Sequence, residues 1–134
     1  MERTYVMLKA DAYQRGLIGK IINRIEEKKY QITNMKMILL DEEILKDHYS
    51  HHANQPYFPR ILEYMTAAPS VAMIIEGEGV IDGMIEMVGT TKCFEAMPGT
   101  IRRDYAVTDY ENLIHRSDSK ESAEIEIKRF FGEL

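Results

Sequence analysis

The chain contains one cysteine, Cys93, among 134 residues. A lone cysteine excludes an internal disulfide framework and fits a reducing compartment. No apolar run approaches the roughly 20 residues that span a bilayer. The start, Met1-Glu2-Arg3-Thr4-Tyr5, lacks the apolar stretch of a secretory leader, so cytoplasmic residence is expected. Basic charge is not in excess: 17 Lys and Arg stand against 22 Asp and Glu, a formal net charge of −5. That balance provides no electrostatic footprint for a nucleic-acid partner. The phosphate-loop pattern GxxxxGK[ST] is absent, so any phosphate would be held by side chains. No internal repeat, low-complexity tract or Pro/Gly/Ser-rich linker divides the chain. The length is that of one domain, residues 1–134, with a sizeable core.

What is present is a clear alternation of periods. Thr4 to Leu8 reads as a buried strand ending at Lys9. Leu17, Ile18, Ile21, Ile22 and Ile25 then follow helical spacing. Tyr30 to Leu40 is β-rich, with Met35, Met37 and Leu39 on one face. Asp41 can cap a helix carrying Ile44, Leu45, His48 and Tyr49. A helix is expected over Arg60 to Met65, after the interruption at Pro56 to Pro59. Val71 to Ile75 is an apolar strand. Val80, Ile81, Met84, Ile85 and Val88 are helical in period. Gly89 to Tyr110 is irregular, and long irregular segments in compact domains are often functional. Leu113-Ile114 is a short strand before a last helix. Alternating strands and helices predict a sheet covered by helices, without deciding parallel from antiparallel order.

The end of the chain concentrates the chemistry. Asn112-Leu113-Ile114-His115-Arg116-Ser117-Asp118-Ser119 places a histidine after a short apolar run and just before a helix start. Asp118 and Glu121 have capping-box spacing, and Ser117 or Ser119 could also cap. Ala123, Ile127 and Phe130 form one apolar helical face. Glu126 sits beside that face, where a carboxylate is costly without a partner. A histidine held by a helix carboxylate is one form of an oriented nucleophile. A histidine that merely satisfies a helix end is the plain structural alternative.

This signature, with Glu121-Ser122-Ala123-Glu124 behind it, closely resembles that of the nucleoside diphosphate kinases. The resemblance runs from about Glu2 to about Phe131. It takes in Lys9-Ala10-Asp11, Gln14-Arg15-Gly16-Leu17, His48-Tyr49 and Pro56-Tyr57-Phe58. It continues through Pro69-Ser70-Val71-Ala72-Met73, Gly89-Thr90-Thr91 and Pro98-Gly99-Thr100-Ile101-Arg102. The resemblance implies an α+β fold, a ferredoxin-like sandwich with an antiparallel four-stranded sheet covered by helices. It implies transfer of the γ-phosphate of ATP to nucleoside diphosphates by a ping-pong mechanism through phosphohistidine at His115. Glu126 and Ser117 would orient the ring, and Lys9, Tyr49 and Arg102 would stand near the phosphates. Thr91 and Asn112 match phosphate and sugar contacts. Tyr57 matches the ring stacked on the base, with Ile61 lining the same slot; stacking tolerates every base. Mg2+ would arrive with the nucleotide, bridging phosphates. A homo-oligomer is implied, usually a hexamer and sometimes a tetramer. The family loop near subunit contacts corresponds to the segment around Pro98-Gly99, and little tail follows the last helix.

Two other patterns compete for attention. Gly77-Glu78-Gly79-Val80-Ile81-Asp82-Gly83 has its third glycine one position late for a dinucleotide fingerprint and reads as a strand-to-helix turn. His48, His51 and His52 have spacing for a metal on a helix, but no cysteine completes a zinc site and no metal site is expected. The chain also departs from the family. Ala10 and Ala12 replace Pro and Gly, Arg116 and Arg103 each replace a glycine, and Ile85 stands where a second phosphate-binding arginine falls. One lost charge-assisted hydrogen bond costs about 1.5–3 kcal/mol, or roughly ten- to hundredfold in binding. Arg116 or Arg103 is the expected replacement charge. The alternative function is a non-catalytic or weakly active nucleotide-binding relative with a scaffold or regulatory role.

Overall fold

Two continuous apolar strands hold the middle of the sheet. In this computed structural model, which describes residues 1–133, β1 (Glu2–Leu8) and β3 (Ser70–Gly77) pair antiparallel along their whole length. Tyr5 to Leu8 and Val71 to Ile75 are buried on both faces, as expected of strands whose sequence does not alternate. Each such side chain contributes about 1.5–3 kcal/mol by leaving water. β2 (Gln31–Ile38) adds to β3, and the three-residue β4 (Ile114–Arg116) adds to β1. The order is β2-β3-β1-β4, with every pairing antiparallel. The fold is therefore an α+β, ferredoxin-like sandwich.

Helices cover both faces. On one, Val6, Leu8, Met73 and Ile75 meet Ile21 and Ile25 of α2 (Ile18–Glu27) and Val80, Met84 and Val88 of α5 (Val80–Val88). On the other, Tyr5, Met7 and Ile74 meet Leu45 of α3 (Glu42–His48), Phe58 and Met65 of α4 (Phe58–Thr66), and Ile127 and Phe130 of α7 (Lys120–Phe131). Two five-residue helices complete the described residues: α1 (Ala10–Gln14) follows β1, and α6 (Ile101–Tyr105) interrupts the segment expected to be irregular. No helix among the described residues is long and apolar enough to cross a membrane.

Local chemistry explains the element ends. Asp41 accepts a hydrogen bond from the Ile44 amide at 2.9 Å and caps α3. At α7 the cap falls to Ser119, which accepts from the Ser122 amide at 3.1 Å; Asp118 is instead paired with Arg116. The Gly77–Gly83 turn has a packing explanation. Tyr30 lies against both end glycines, and a Cβ on Gly77 would meet its ring at 2.7 Å. Gly79 between them is left-handed, φ 63°, at the start of α5. In β2, Met35 and Met37 do share a face, but that face is open: they are 56% and 58% exposed, and Leu39 beyond the strand is 77% exposed.

Candidate active site

β1 and β4 together place the reactive groups. Lys9 follows the last residue of β1 and precedes α1, and its amide donates to the Leu113 carbonyl at 2.8 Å. Leu113 is fully buried with φ 75°, a conformation rare for a branched side chain. Only after this bend does β4 begin. Register then pairs His115 with Met7 and Arg116 with Val6. His115 thus belongs to the sheet face covered by α7, and Arg116 to the face covered by α2 and α5.

Behind His115 stands an oriented carboxylate. His115 Nε2 lies 2.9 Å from Glu126 Oε1, and Ser117 Oγ donates to the same oxygen at 2.6 Å. Ser117 is itself anchored by the Tyr5 amide, which donates to its Oγ at 3.3 Å. A carboxylate only accepts, so Nε2 carries the proton and Nδ1 keeps its lone pair. Burial lowers the histidine's pKa, against the opposing pull of Glu126, while Lys9 and Arg116 lower it further. The ring is therefore neutral at neutral pH.

His48 packs edge-on to this ring, centroids 4.6 Å apart. Arg129 donates to its Nδ1 at 2.9 Å, leaving a buried Nε2 without a partner. Burial, followed by His115 and Arg129, pushes the pKa of His48 down to about 2. The metal-like spacing of His48, His51 and His52 is not what the fold assembles. Among the described residues, the potential ligand atoms within 4.8 Å of one another belong to His48, His115 and Glu126. His52 instead holds Tyr57, its Nδ1 2.5 Å from the phenol oxygen.

In front of His115 lies a cleft of about 490 Å3, lined by Lys9, Tyr49, Thr91, Arg102, Asn112 and Glu126. Tyr57 and Ile61 line it further out, with the Tyr57 ring 43% exposed. Ser117, the remaining predicted residue, is fully buried behind the carboxylate. Lys9 Nζ donates to Asn112 Oδ1 at 2.8 Å. Burial, then Arg102, lowers the Lys9 pKa to about 7. Arg102 is 5% exposed, and two of its donors are already used: Nη1 on the Gly89 carbonyl at 3.2 Å and Nη2 on that of Ile114 at 2.6 Å. Its Nε is buried without a partner. Burial, then Arg116, brings its pKa to about 10, so it stays charged at neutral pH. Burial pushes the Tyr49 hydroxyl up, which keeps it a neutral donor.

The cleft also includes residues that sequence reasoning missed. Tyr64, Asp109 and Tyr110 line it. Tyr64 donates to the Asp11 carboxylate, and Arg60 stacks 4.0 Å over Tyr110. These contacts join segments far apart in the chain, and no local spacing signals them.

The family model for nucleoside diphosphate kinase matches residues 2–134. The chain belongs to the nucleoside diphosphate kinase family. A nucleoside diphosphate kinase of Acetivibrio thermocellus is 50% identical over 134 residues, covering 100% of this chain and 98% of that one. One of Methanocaldococcus jannaschii is 50% identical over 98% of this chain and 94% of the relative. Among solved structures, the apo nucleoside diphosphate kinase of Encephalitozoon cuniculi superposes with a TM-score of 0.95 at 40% identity, covering 99% of this chain and 90% of that chain. That of Halobacterium salinarum, in complex with CDP, gives 0.93 at 40% identity, over 98% and 88%. The chain's function is that of a nucleoside diphosphate kinase, a phosphotransferase acting on nucleotides.

Three of the departures from the nucleoside diphosphate kinase pattern now have places. Ile85, on α5, is partly buried and packs against the core cluster, so hydrophobic contact occupies that position. Arg103 donates to the carbonyls of Phe94 and Ala96, both at 3.0 Å, and ties down the loop before α6. It does not line the cleft, which leaves Arg116 of the two arginines expected to replace the missing charge. Arg116 does line it.

Proposed function

We propose that phosphoryl transfer in this chain runs through Nδ1 of His115. The observation that carries this reading is the 2.9 Å contact between His115 Nε2 and Glu126, itself fixed by Ser117. In the first displacement the Nδ1 lone pair attacks the γ-phosphorus of ATP. The bond to the β,γ-bridging oxygen breaks, and ADP leaves with that electron pair. In the second, a terminal oxygen of a nucleoside diphosphate attacks the same phosphorus, and the P–N bond returns its electrons to His115. Glu126 offsets the positive charge that grows on the ring. Lys9, Arg102 and the neutral Tyr49 hydroxyl supply donors for phosphate oxygens, the main requirement of this chemistry. Tyr57 and Ile61 form the base slot, Thr91 meets a phosphate and Asn112 the sugar.

Magnesium enters with the nucleotide in this proposal. The carboxylates at the cleft are engaged: Glu126 by His115 and Ser117, Asp118 by Arg116, and Asp109 by the Cys93 amide at 3.0 Å. Such a donor set suits an anion and its own counter-ion better than a protein-held metal. When bound, the ion neutralises phosphate charge.

The test is labelling by ATP carrying a radioactive γ-phosphate, in wild type and His115→Ala. Acid-labile, base-stable label on wild type alone, discharged by GDP, is expected. No label despite measurable ATP binding would replace this reading with that of a non-catalytic nucleotide-binding relative.

The chain is also proposed to form a homo-oligomer, in line with the hexamers of the resemblance. The supporting observation is the open edge strand β2 with Met35 and Met37 exposed, a surface that invites pairing. Sedimentation at micromolar concentration checks this; a persistent monomer would refute it. Cytoplasmic residence is consistent with nucleotide substrates and one free buried thiol.

A further inference from the structure

Arg116 is a cation that the reaction outlined above leaves unused. Its stem starts on the sheet face covered by α2 and α5, opposite to that of His115, yet its side chain reaches the same cleft. The side chain is only 18% exposed, and its Nε is buried without a partner. Its one ion-pair partner among the described residues is Asp118, 2.5 Å from Nη1 and 79% exposed at the rim. Pairs with so exposed a carboxylate are worth little. Meanwhile Arg116 lies close enough to Arg102 and Lys9 to disfavour the charged form of each. The inner carboxylate, Glu126, is committed to His115 and Ser117. Asp11 beside Lys9 offsets part of its charge, but the carboxylates lining the cleft are engaged, and the three cations there repel one another until an anion arrives.

We propose that Arg116 is a phosphate clamp, docked on Asp118 while the cleft is empty and turned onto a nucleotide phosphate oxygen when it fills. It would supply, from β4, the donor that Ile85 cannot supply from α5. A guanidinium suits the task because its planar fork matches phosphate oxygens. The clamp rests on reading the cleft as the nucleotide site, but it needs no phosphoryl transfer. Asp118 acts as a gate by holding the cation near the rim.

Calorimetry with ADP and NMR with millimolar adenosine test it on the full chain. Arg116→Gly is expected to weaken ADP about ten- to hundredfold, the cost of a charge-assisted hydrogen bond. Adenosine, which has no phosphate, should bind as before, and Arg116→Lys should fall between. Unchanged ADP affinity in Arg116→Gly, or an equal loss for adenosine, overturns the clamp. Should Arg116→Gly fail to fold, Asp118→Asn decides. Freed of its partner, Arg116 should hold ADP as tightly as before or more so. Weaker ADP binding in Asp118→Asn would refute the docked-cation account. Because ADP binding is read without chemistry, a missing phosphohistidine would leave this result standing and strike only the kinase mechanism.

Discussion

The two sides of His115 are built on opposite rules. Behind the ring, the carboxylate's frame is hydrogen-bonded throughout, with Nε2 on Glu126, Ser117 on the same carboxylate and the Tyr5 amide on Ser117, although the Tyr5 hydroxyl nearby is buried without a partner. The packing there is equally closed, with Tyr5 stacked on Phe130 at a centroid distance of 4.8 Å. In front, donors outnumber acceptors. Lys9 spends one of its three protons on Asn112, and Arg102 and Arg116 each keep a buried Nε unpaired. A saturated frame fixes an orientation that must not change during turnover. An under-bonded front is costly in the empty protein and is relieved only by an anion. Buried unpaired donors are expensive, so two unpaired guanidinium nitrogens at the front point to an anionic ligand.

The comparison is broken most severely from behind. Glu126→Gln keeps the size and an acceptor oxygen but removes the charge opposite Nε2. A charge-assisted hydrogen bond becomes a neutral one, a loss of about 1–1.5 kcal/mol. Since that charge matters most as the ring becomes cationic, the loss should appear in kcat, lowering it about five- to tenfold. Nucleotide affinity should hold, because the front is untouched. Rapid-quench phosphorylation against ATP concentration separates the two. A rise in the ATP dissociation constant at unchanged rate would mean that Glu126 serves binding and not the nucleophile.

The same contrast explains what could be read from the chain beforehand. Saturated parts are built from strong local signals. The unbroken apolar runs of β1 and β3, the helical spacing of α2 and α5, and the polar caps Asp41 and Ser119 all act over a few residues. Five-residue α1 and α6 escape because one turn and a half is too short for a period to show. Antiparallel order came from the family resemblance, since both orders suit alternating elements. The front is assembled across the fold. Arg102 was legible as a phosphate donor, yet its bonds to the Gly89 and Ile114 carbonyls could not be seen, nor could the Tyr64–Asp11 pair, 53 residues apart. Met35 and Met37 were legible as sharing a face, but a period of two does not say which face is covered.

A gentler perturbation sharpens the contrast from the front. Lys9 has a pKa of about 7, held down first by burial and then by Arg102, against a weaker upward pull from Asp11. An unfolded lysine titrates near 10.4. Between these values the unfolded chain binds more protons than the empty folded one. Lys9 therefore makes stability rise with pH across that window and costs stability at and below about pH 7. Nucleotide phosphates reverse the sign by favouring the ammonium and raising its pKa. Around pH 8 the empty site holds Lys9 mostly neutral and the filled site holds it charged, so ADP binding should take up most of one proton. Below about pH 6 Lys9 is charged in both states, and its uptake should vanish. Calorimetry in two buffers of different ionisation enthalpy measures the difference. Lys9→Met should abolish the uptake near pH 8, weaken ADP, and raise the melting temperature of the empty protein at neutral pH. A lysine engaged in a saturated frame would do the reverse on the last count, and a lower melting temperature would place Lys9 behind the boundary that separates the two sides of His115.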